Sequence, residues 1–349
     1  MRIGAKYDGP AERVGGLLNL VPVPIGMSMF GMPVARSLQV AQSTGMLARL
    51  AAGPVTAPEL ARELGLRPQG TALVLDVMAV AGVAETGPGG RYSMSKRAAK
   101  WLSPSSSSYV GDFLADTANY WEWWQHLEEL VRDGSSIELH DKPADDRYWR
   151  SYIVGQYQLA RLSSSAVAKA VALPAGAGSL LDVAGAHGEF SMALCRRHDE
   201  LSATVVDLPG SAAIGREIVR ENGMSERVRH VEGNMFEVDL DGPHDGALAF
   251  NIIHHLSPEQ VQDLFRRLGA VLRPGAPLCV LDLYDRPPDS RPDSGSFLGL
   301  FFHLTSGADT YSTEEVSGWL AAGGFGPARV KTLPQLPGLA LLRAERLAR

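Results

Sequence analysis

Residues Leu180–Pro209 read LLDVAGAHGEFSMALCRRHDELSATVVDLP. The apolar run Leu180, Leu181 and Val183 stops at a turn of small residues, Ala184-Gly185-Ala186-His187-Gly188. The amphipathic stretch from Glu189 to His198 predicts a helix, and a second apolar run, Ala203–Val206, is closed by Asp207. The unit is a strand, a tight turn, a helix and a second strand with an acid at its tip. Such a parallel pair sets bare backbone and a helix N-terminus beside a carboxylate, an arrangement that suits a nucleoside-bearing ligand. The small residues let the main chain approach that ligand, and the Asp207 carboxylate can accept hydrogen bonds from both ribose hydroxyls.

Outward from this unit, the rest of residues 174–349 alternates strand and helix patterns, the mark of a doubly wound parallel sheet. Val228–Val231, Gly246–Phe250 and Pro277–Leu283 read as further strands. Ser257, Pro258 and Gln260 form a capping box at the head of a helix running to Leu272, and Ser312 with Glu315 starts another that stops at Gly323-Gly324. Ala328–Thr332 and Leu339–Arg343 complete seven strands and predict an antiparallel edge.

Upstream the texture changes twice. Residues 1–102 read as short helices and one hairpin. Val34–Leu50 has apolar residues at helical spacing, Thr56–Gly65 opens on a threonine cap, and Pro68–Gly82 buries Leu73, Val74, Val77 and Val80. The Gly-rich turn in Val83–Tyr92 then predicts a hairpin, so the order is that of a winged helix. Residues 103–173 begin with the linker Ser103–Ser108 and carry Tyr120, Trp121, Trp123 and Trp124. Asp133–Asp146 reads as a loop, Tyr148–Val171 as helical, and this middle segment is expected to contribute to a substrate pocket.

Composition narrows the class of protein. A chain of 349 residues with 45% hydrophobic and 21% charged residues suits a soluble protein of two domains. A net charge of −6 argues against nucleic acid as a partner. Two cysteines, Cys195 and Cys279, fit neither a disulfide framework nor a zinc site and favour a cytoplasmic setting. No apolar run reaches membrane-spanning length. Lys6, Asp8, Glu12 and Arg13 precede the stretch Leu17–Met32, which Pro22, Pro24 and Gly26 interrupt, so neither a membrane partner nor a signal peptide is expected.

A dinucleotide fold and an S-adenosylmethionine fold begin alike, and several details favour the second. There is no Gly-x-Gly-x-x-Gly, and Asp182 stands just before the turn. The third strand leads into Gly233-Asn234-Met235-Phe236, a polar edge and two soft apolar side chains for an adenine. The fourth runs into Asn251-Ile252-Ile253-His254-His255. Here the chain resembles the class I S-adenosylmethionine-dependent small-molecule O-methyltransferases, in particular the plant caffeic acid and hydroxyindole type and its actinobacterial natural-product branch. The resemblance spans nearly the whole chain, including an N-terminal winged-helix dimerisation domain.

That resemblance implies a methyltransferase of secondary metabolism, including antibiotic biosynthesis, that is homodimeric and bound to S-adenosyl-L-methionine. It matches the family's cofactor loop to Asp182–Gly188, with Gly185 and Gly188 retained, and its ribose acid to Asp207, beside Leu208. Its adenine-side segment matches Asn234, Met235 and Phe236, with Asn251 close by. Its catalytic histidine matches His254 as general base for a hydroxyl of a small aromatic or polyketide-like substrate, and its first flanking acid matches Asp282. Trp124, His255, Phe302 and His303 are the candidate substrate contacts. The chain also departs from the pattern. Two loop glycines are Ala184 and Ala186, which resist positive φ. The second acid falls at Thr310, with Asp309 adjacent.

Plain structural alternatives stand beside these roles. Asp182 can simply cap the turn, Asp207 end a strand, and His254 form a wall. His187 reads as lining the loop without chemistry. Met27, Met29, Phe30 and Met32 read as a dimer interface. No metal is expected, although His254, His255 and His303 would be the ligands if one were held. Transfer to carbon or nitrogen, with or without a metal, is the alternative enzymatic reading, as is a cofactor-binding protein that does not methylate. A DNA-binding regulator is a further reading, because Arg91, Lys96, Arg97 and Lys100 lie on the predicted wing.

Overall fold

The computed structural model describes residues 9–20, 22–137, 139–285, 289–307 and 310–348, so Lys6, Asp8 and Asp309 lie outside the described residues. By its internal contacts the chain divides into two units, Met1–Asn119 and Tyr120–Arg349.

In the first unit the helices are α1 (Pro10–Leu17), α2 (Val23–Ser43) and α3 (Met46–Ala51), then, after strand β1 (Val55–Thr56), α4 (Ala57–Leu64) and α5 (Pro68–Val80). Strands β2 (Ala84–Gly87) and β3 (Arg91–Met94) follow, then α6 (Lys96–Leu102) and α7 (Gly111–Asp116). β2 pairs antiparallel with β3, and β1 adds to its other edge. The Thr56 hydroxyl accepts from the Glu59 amide while the Glu59 carboxylate accepts from Thr56, and Gly65 ends the helix at φ 68°.

Several sequence expectations are corrected here, and one is the burial of Leu73 and Val80, which are 60% and 89% exposed on α5. The helical spacing of Val34–Leu50 hides a break at Thr44-Gly45, where Gly45 takes φ 81° and starts α3. Residues 23–34, interrupted by prolines in sequence, form the first half of α2, which carries Pro33 within it. A proline there removes one i→i−4 bond, and the remainder of a 21-residue helix tolerates that loss. Of the four residues expected on a basic wing, Arg91 lies on the hairpin and pairs with Glu59 at 3.2 Å, whereas Lys96, Arg97 and Lys100 belong to α6, with the Lys100 ammonium over the Trp101 ring.

The second unit opens with α8 (Tyr120–Trp123), α9 (Leu127–Asp133), α10 (Arg147–Arg161) and α11 (Ser164–Val171). The stretch Tyr148–Val171 is therefore two helices, parted at Leu162-Ser163. Then come β4 (Ser179–Val183), α12 (Glu189–Arg197), β5 (Ser202–Asp207), α13 (Pro209–Glu221), β6 (Val228–Glu232) and β7 (Gly246–Phe250). The chain ends with α14 (Pro258–Val271), β8 (Pro277–Leu283), α15 (Gly295–Ser306), α16 (Thr313–Ala322), β9 (Arg329–Thr332) and β10 (Leu339–Glu345).

The seven strands lie in the order β6-β5-β4-β7-β8-β10-β9. The first five run parallel, and β10 and β9 close the edge antiparallel. Side-chain alternation divides the core in two. Leu180, Val205, Leu248, Phe250 and Leu281 pack on one face with residues of α8, α10 and α11. Leu181, Val206, Ala249 and Val280 pack on the other against Phe265 and Leu268 of α14. With both faces covered, the central strands need near-continuous apolar sequence, which β7 shows throughout and β8 breaks at Asp282. The strand order reverses beside β4, and a crevice opens there at the carboxyl ends.

Candidate active site

The turn after β4 is under strain. Ala184 and Ala186 take φ 53° and 44°, a region that an alanine methyl disfavours, and Gly188 takes φ 68° at the head of α12. Hydrogen bonds hold the two alanines there. The Ala184 amide donates to the Val206 carbonyl at 2.8 Å and the Ala186 amide to Asp207 Oδ2 at 2.7 Å. Beneath the turn, Asp182 accepts from Ser191 Oγ at 2.6 Å. A Cβ on Gly185 would lie 2.5 Å from the Asp182 Cγ, so only glycine fits above that carboxylate.

Asp207 ends β5 with one oxygen facing the Ala186 amide and the other facing the Leu208 amide, at 2.7 Å each. Its enclosed setting pushes the carboxyl up to about 6 against the pull of those two amides. Each oxygen keeps a lone pair for a further donor. Beyond β6, Gly233 takes φ 147°, and a Cβ there would lie 2.3 Å from Val238. Asn234 then accepts from the Phe236 amide at 3.0 Å, which shapes the turn carrying Met235 and Phe236.

These segments surround a cavity of about 320 Å³. Of the residues singled out in sequence, Asp207, Leu208, Asn234, Met235, Phe236, Asn251 and His255 line it. Asp182, Gly185 and Gly188 sit behind its wall and shape the loop. His254, Asp282, Phe302 and His303 also lie outside the lining. Trp124 is at the surface, 36% exposed, with its ring 6.1 Å from that of Phe301.

His254 belongs to a short 3-10 turn, Ile253–His255, that follows β7. Its Nδ1 lies 2.6 Å from Oδ1 of Asp282, a fully buried residue of β8. The same carboxylate accepts from the amides of Ile253 at 3.0 Å and Leu283 at 2.7 Å. A carboxylate only accepts, so Nδ1 of His254 carries a proton and Nε2 is the nitrogen left for another partner. Phe302 of α15 stacks on the imidazole with centroids 3.8 Å apart. Thr310, where the family's second acid was expected, instead donates its hydroxyl to Asp285.

His255 lies with its ring 4.0 Å from that of His254 and is met edge-on by His140 at 4.8 Å. Among the described residues its Nδ1 has no hydrogen-bond partner. Burial, with the neighbouring His254 and His140, holds its pKa well below the usual imidazole value. Burial likewise pushes His140 down to about 4 and His187 to about 3, so both rings are neutral near pH 7. Among the described residues no three His, Cys, Asp or Glu side chains are placed to hold a metal ion.

With this geometry in hand, comparison with known proteins is decisive. The O-methyltransferase domain family matches residues 124–325, more than half of the chain. The chain belongs to the O-methyltransferase family. This O-methyltransferase is 27% identical over 311 residues to 3-hydroxy-5-methyl-1-naphthoate 3-O-methyltransferase of Streptomyces sahachiroi, covering 86% of this chain and 88% of that one. It is 28% identical over 262 residues to the N,N-dimethyltransferase OxyT of Streptomyces rimosus, covering 72% and 76%. In fold it is similar to human N-acetylserotonin methyltransferase in complex with S-adenosylmethionine, with TM-score 0.82 and 17% identity over 99% of this chain and 100% of that one.

The cofactor of this O-methyltransferase is S-adenosyl-L-methionine. The cavity fits a nucleoside without phosphates. Among the described residues no Lys or Arg lines it, so no side-chain cation there would neutralise a pyrophosphate. Several lining residues were missed in sequence. His140 sits in a stretch read as a loop, and Trp149, Tyr152 and Ile153 in a helical segment expected to contribute to a substrate pocket without any of the three being singled out. The one available signal was the aromatic density of 140–152, which equally suits a core.

Asp182 carries a pH prediction. Burial pushes its carboxyl up to about 7, against Ser191 and with Asp207 reinforcing the rise. In an unfolded chain the value is about 3.9. Between the two, the folded state holds the proton more tightly, so stability falls as pH rises from about 4 through 7 and then levels. Asp182→Asn lacks that loss. Its melting temperature relative to wild type should improve by about 5 °C from pH 5 to pH 8 in scanning calorimetry. An unchanged difference would place the charge elsewhere.

Proposed function

We propose that this enzyme methylates a hydroxyl of a small aromatic or polyketide-like natural product, with His254 as general base. The buried 2.6 Å contact between His254 and Asp282 carries this reading. When bound, S-adenosyl-L-methionine supplies an electrophilic methyl on its sulfonium. The protein's own work is then to bind, align and deprotonate. Asp207 takes the ribose hydroxyls, and Met235 and Phe236 flank the base, with the Asn234 side chain at its edge. Asp282 holds His254 in the tautomer that leaves Nε2 open to the acceptor's proton, and it stabilises the imidazolium formed. Phe302 stacks on that imidazole and has to move for an acceptor to reach it.

Support for the substrate class comes from the apolar walls, Trp149, Tyr152, Ile153 and Leu256, and from the relative named for a hydroxynaphthoate. The test is transfer of labelled methyl to a panel of phenols and amines, with the product mapped. Label on oxygen is expected, whereas label on nitrogen or carbon alone would move the enzyme towards the chemistry in OxyT's name. A second reading makes His255 the base, because it lines the cavity with a bare Nδ1. Loss of transfer in His255→Ala but not His254→Ala would favour it.

Residues 1–102, within the first unit, are proposed as a winged-helix dimerisation domain. Leu17, Ile25, Met29, Phe30 and Met32 on α1 and α2 are exposed, an apolar surface that a second copy would cover. Light scattering is expected to give twice the mass of one chain at micromolar concentration. A single-chain mass would end the proposal. The cytoplasm is the proposed setting, in keeping with two buried free thiols.

A further inference from the structure

We infer that His230 is a positioning residue for the cofactor loop, a strut that holds Ala186 in its left-handed conformation. This rests on the cofactor reading above. Ala186 has φ 44°, and a non-glycine residue stays in that region only when its surroundings over-determine it. Both of its peptide groups are tied. The amide donates to Asp207 Oδ2 at 2.7 Å, and the carbonyl accepts from Nε2 of His230, on β6, at 2.8 Å. The first bond runs to the ribose acid. The second fixes the opposite side of the same Cα, so the Ala186 amide points at Asp207 only while the carbonyl stays on His230.

The surroundings are cleared for this contact. A Cβ on Gly215, in α13, would lie 2.2 Å from the Ala186 carbonyl oxygen and 2.4 Å from His230 Nε2. Glycine at 215 is what lets loop, strand and helix meet there. To donate to a carbonyl, His230 must carry its proton on Nε2, which leaves Nδ1 as a bare acceptor. That nitrogen is buried and has no partner, an arrangement that disfavours the fold. Among the described residues the ring's one hydrogen bond is the one to the loop. Burial keeps His230 below the usual imidazole value, hence neutral and in this donor form.

A double-mutant cycle tests the strut. Binding of S-adenosyl-L-homocysteine is measured by calorimetry for wild type, His230→Leu, His230→Gln and Ala186→Gly, and for His230→Leu combined with Ala186→Gly. His230→Leu should weaken binding about ten-fold, the sum of a lost hydrogen bond and released strain, and should raise KM for the cofactor with kcat held within about three-fold. His230→Gln, whose amide nitrogen falls near the position of Nε2, should restore affinity to within about three-fold. In the Ala186→Gly background the leucine substitution should cost less than about three-fold, because glycine adopts positive φ unaided. An equal loss in both backgrounds would reduce His230 to packing and overturn the inference, as would unchanged affinity. Hydrogen exchange at the Ala186 amide, read without any nucleoside, separates this from the cofactor reading. Exchange should quicken about ten-fold in His230→Leu, and an unchanged rate sinks the strut whether or not the nucleoside binds.

Discussion

Asp207→Asn should weaken binding of S-adenosyl-L-methionine by about two to three orders of magnitude, with the fold retained. The carboxylate is bracketed by two amides, Ala186 on Oδ2 and Leu208 on Oδ1. Whichever way an asparagine amide is turned, its NH₂ faces one of those N–H groups, donor against donor. One ribose hydroxyl then loses its acceptor and the turn loses a tie. The same carboxyl gives a pH signature. Pushed up to about 6, it is protonated below that value, and a protonated group offers fewer acceptor sites. Affinity should therefore hold above about pH 7 and fall by up to about ten-fold per unit below pH 6. Calorimetric titration from pH 5 to 8 reads both effects. Full affinity in the asparagine variant would remove Asp207 from the site.

His254→Ala should lower methyl transfer by about 10²–10⁴-fold, the usual contribution of a positioned base, while binding of the demethylated cofactor stays within about three-fold. Asp282→Asn should approach the same loss for a geometric reason. With its carbonyl towards His254, the NH₂ opposes the Ile253 amide, which now donates to Oδ2. With the amide reversed, His254 Nδ1 must accept, so the proton moves to Nε2 and the base is gone. Steady-state kinetics on an accepted phenol, with cofactor binding as the control for folding, separates the outcomes. Undiminished transfer in His254→Ala would show that no imidazole at that position takes the proton.

Much of this was legible in the chain alone. The capping boxes at Ser257 and Ser312 and the strand runs around Asp207 depend on residues within a turn or a pleat of one another. Both boxes are present in the structure with the predicted partners. The two helical breaks were not legible. Apolar spacing continues across Gly45 and across Leu162-Ser163, and only the packing of the flanking helices reveals the kink. The alanines at 184 and 186 read as obstacles to the left-handed turn. They adopt it because Val206, Asp207 and His230, all remote in sequence, supply the hydrogen bonds that offset the strain.

The active site shows where that division falls. Local pattern alone determined that a strand–turn–helix unit with a terminal acid would form, and that a histidine would follow the fourth strand. Only the tertiary structure decided that His255, and not His254, faces the cavity. It also turned His254 towards Asp282 and brought His140, Trp149 and Tyr152 to the wall. The physical reason is range. Propensity, capping and periodicity act over a few residues, whereas a cavity is the space left where five distant segments fail to touch.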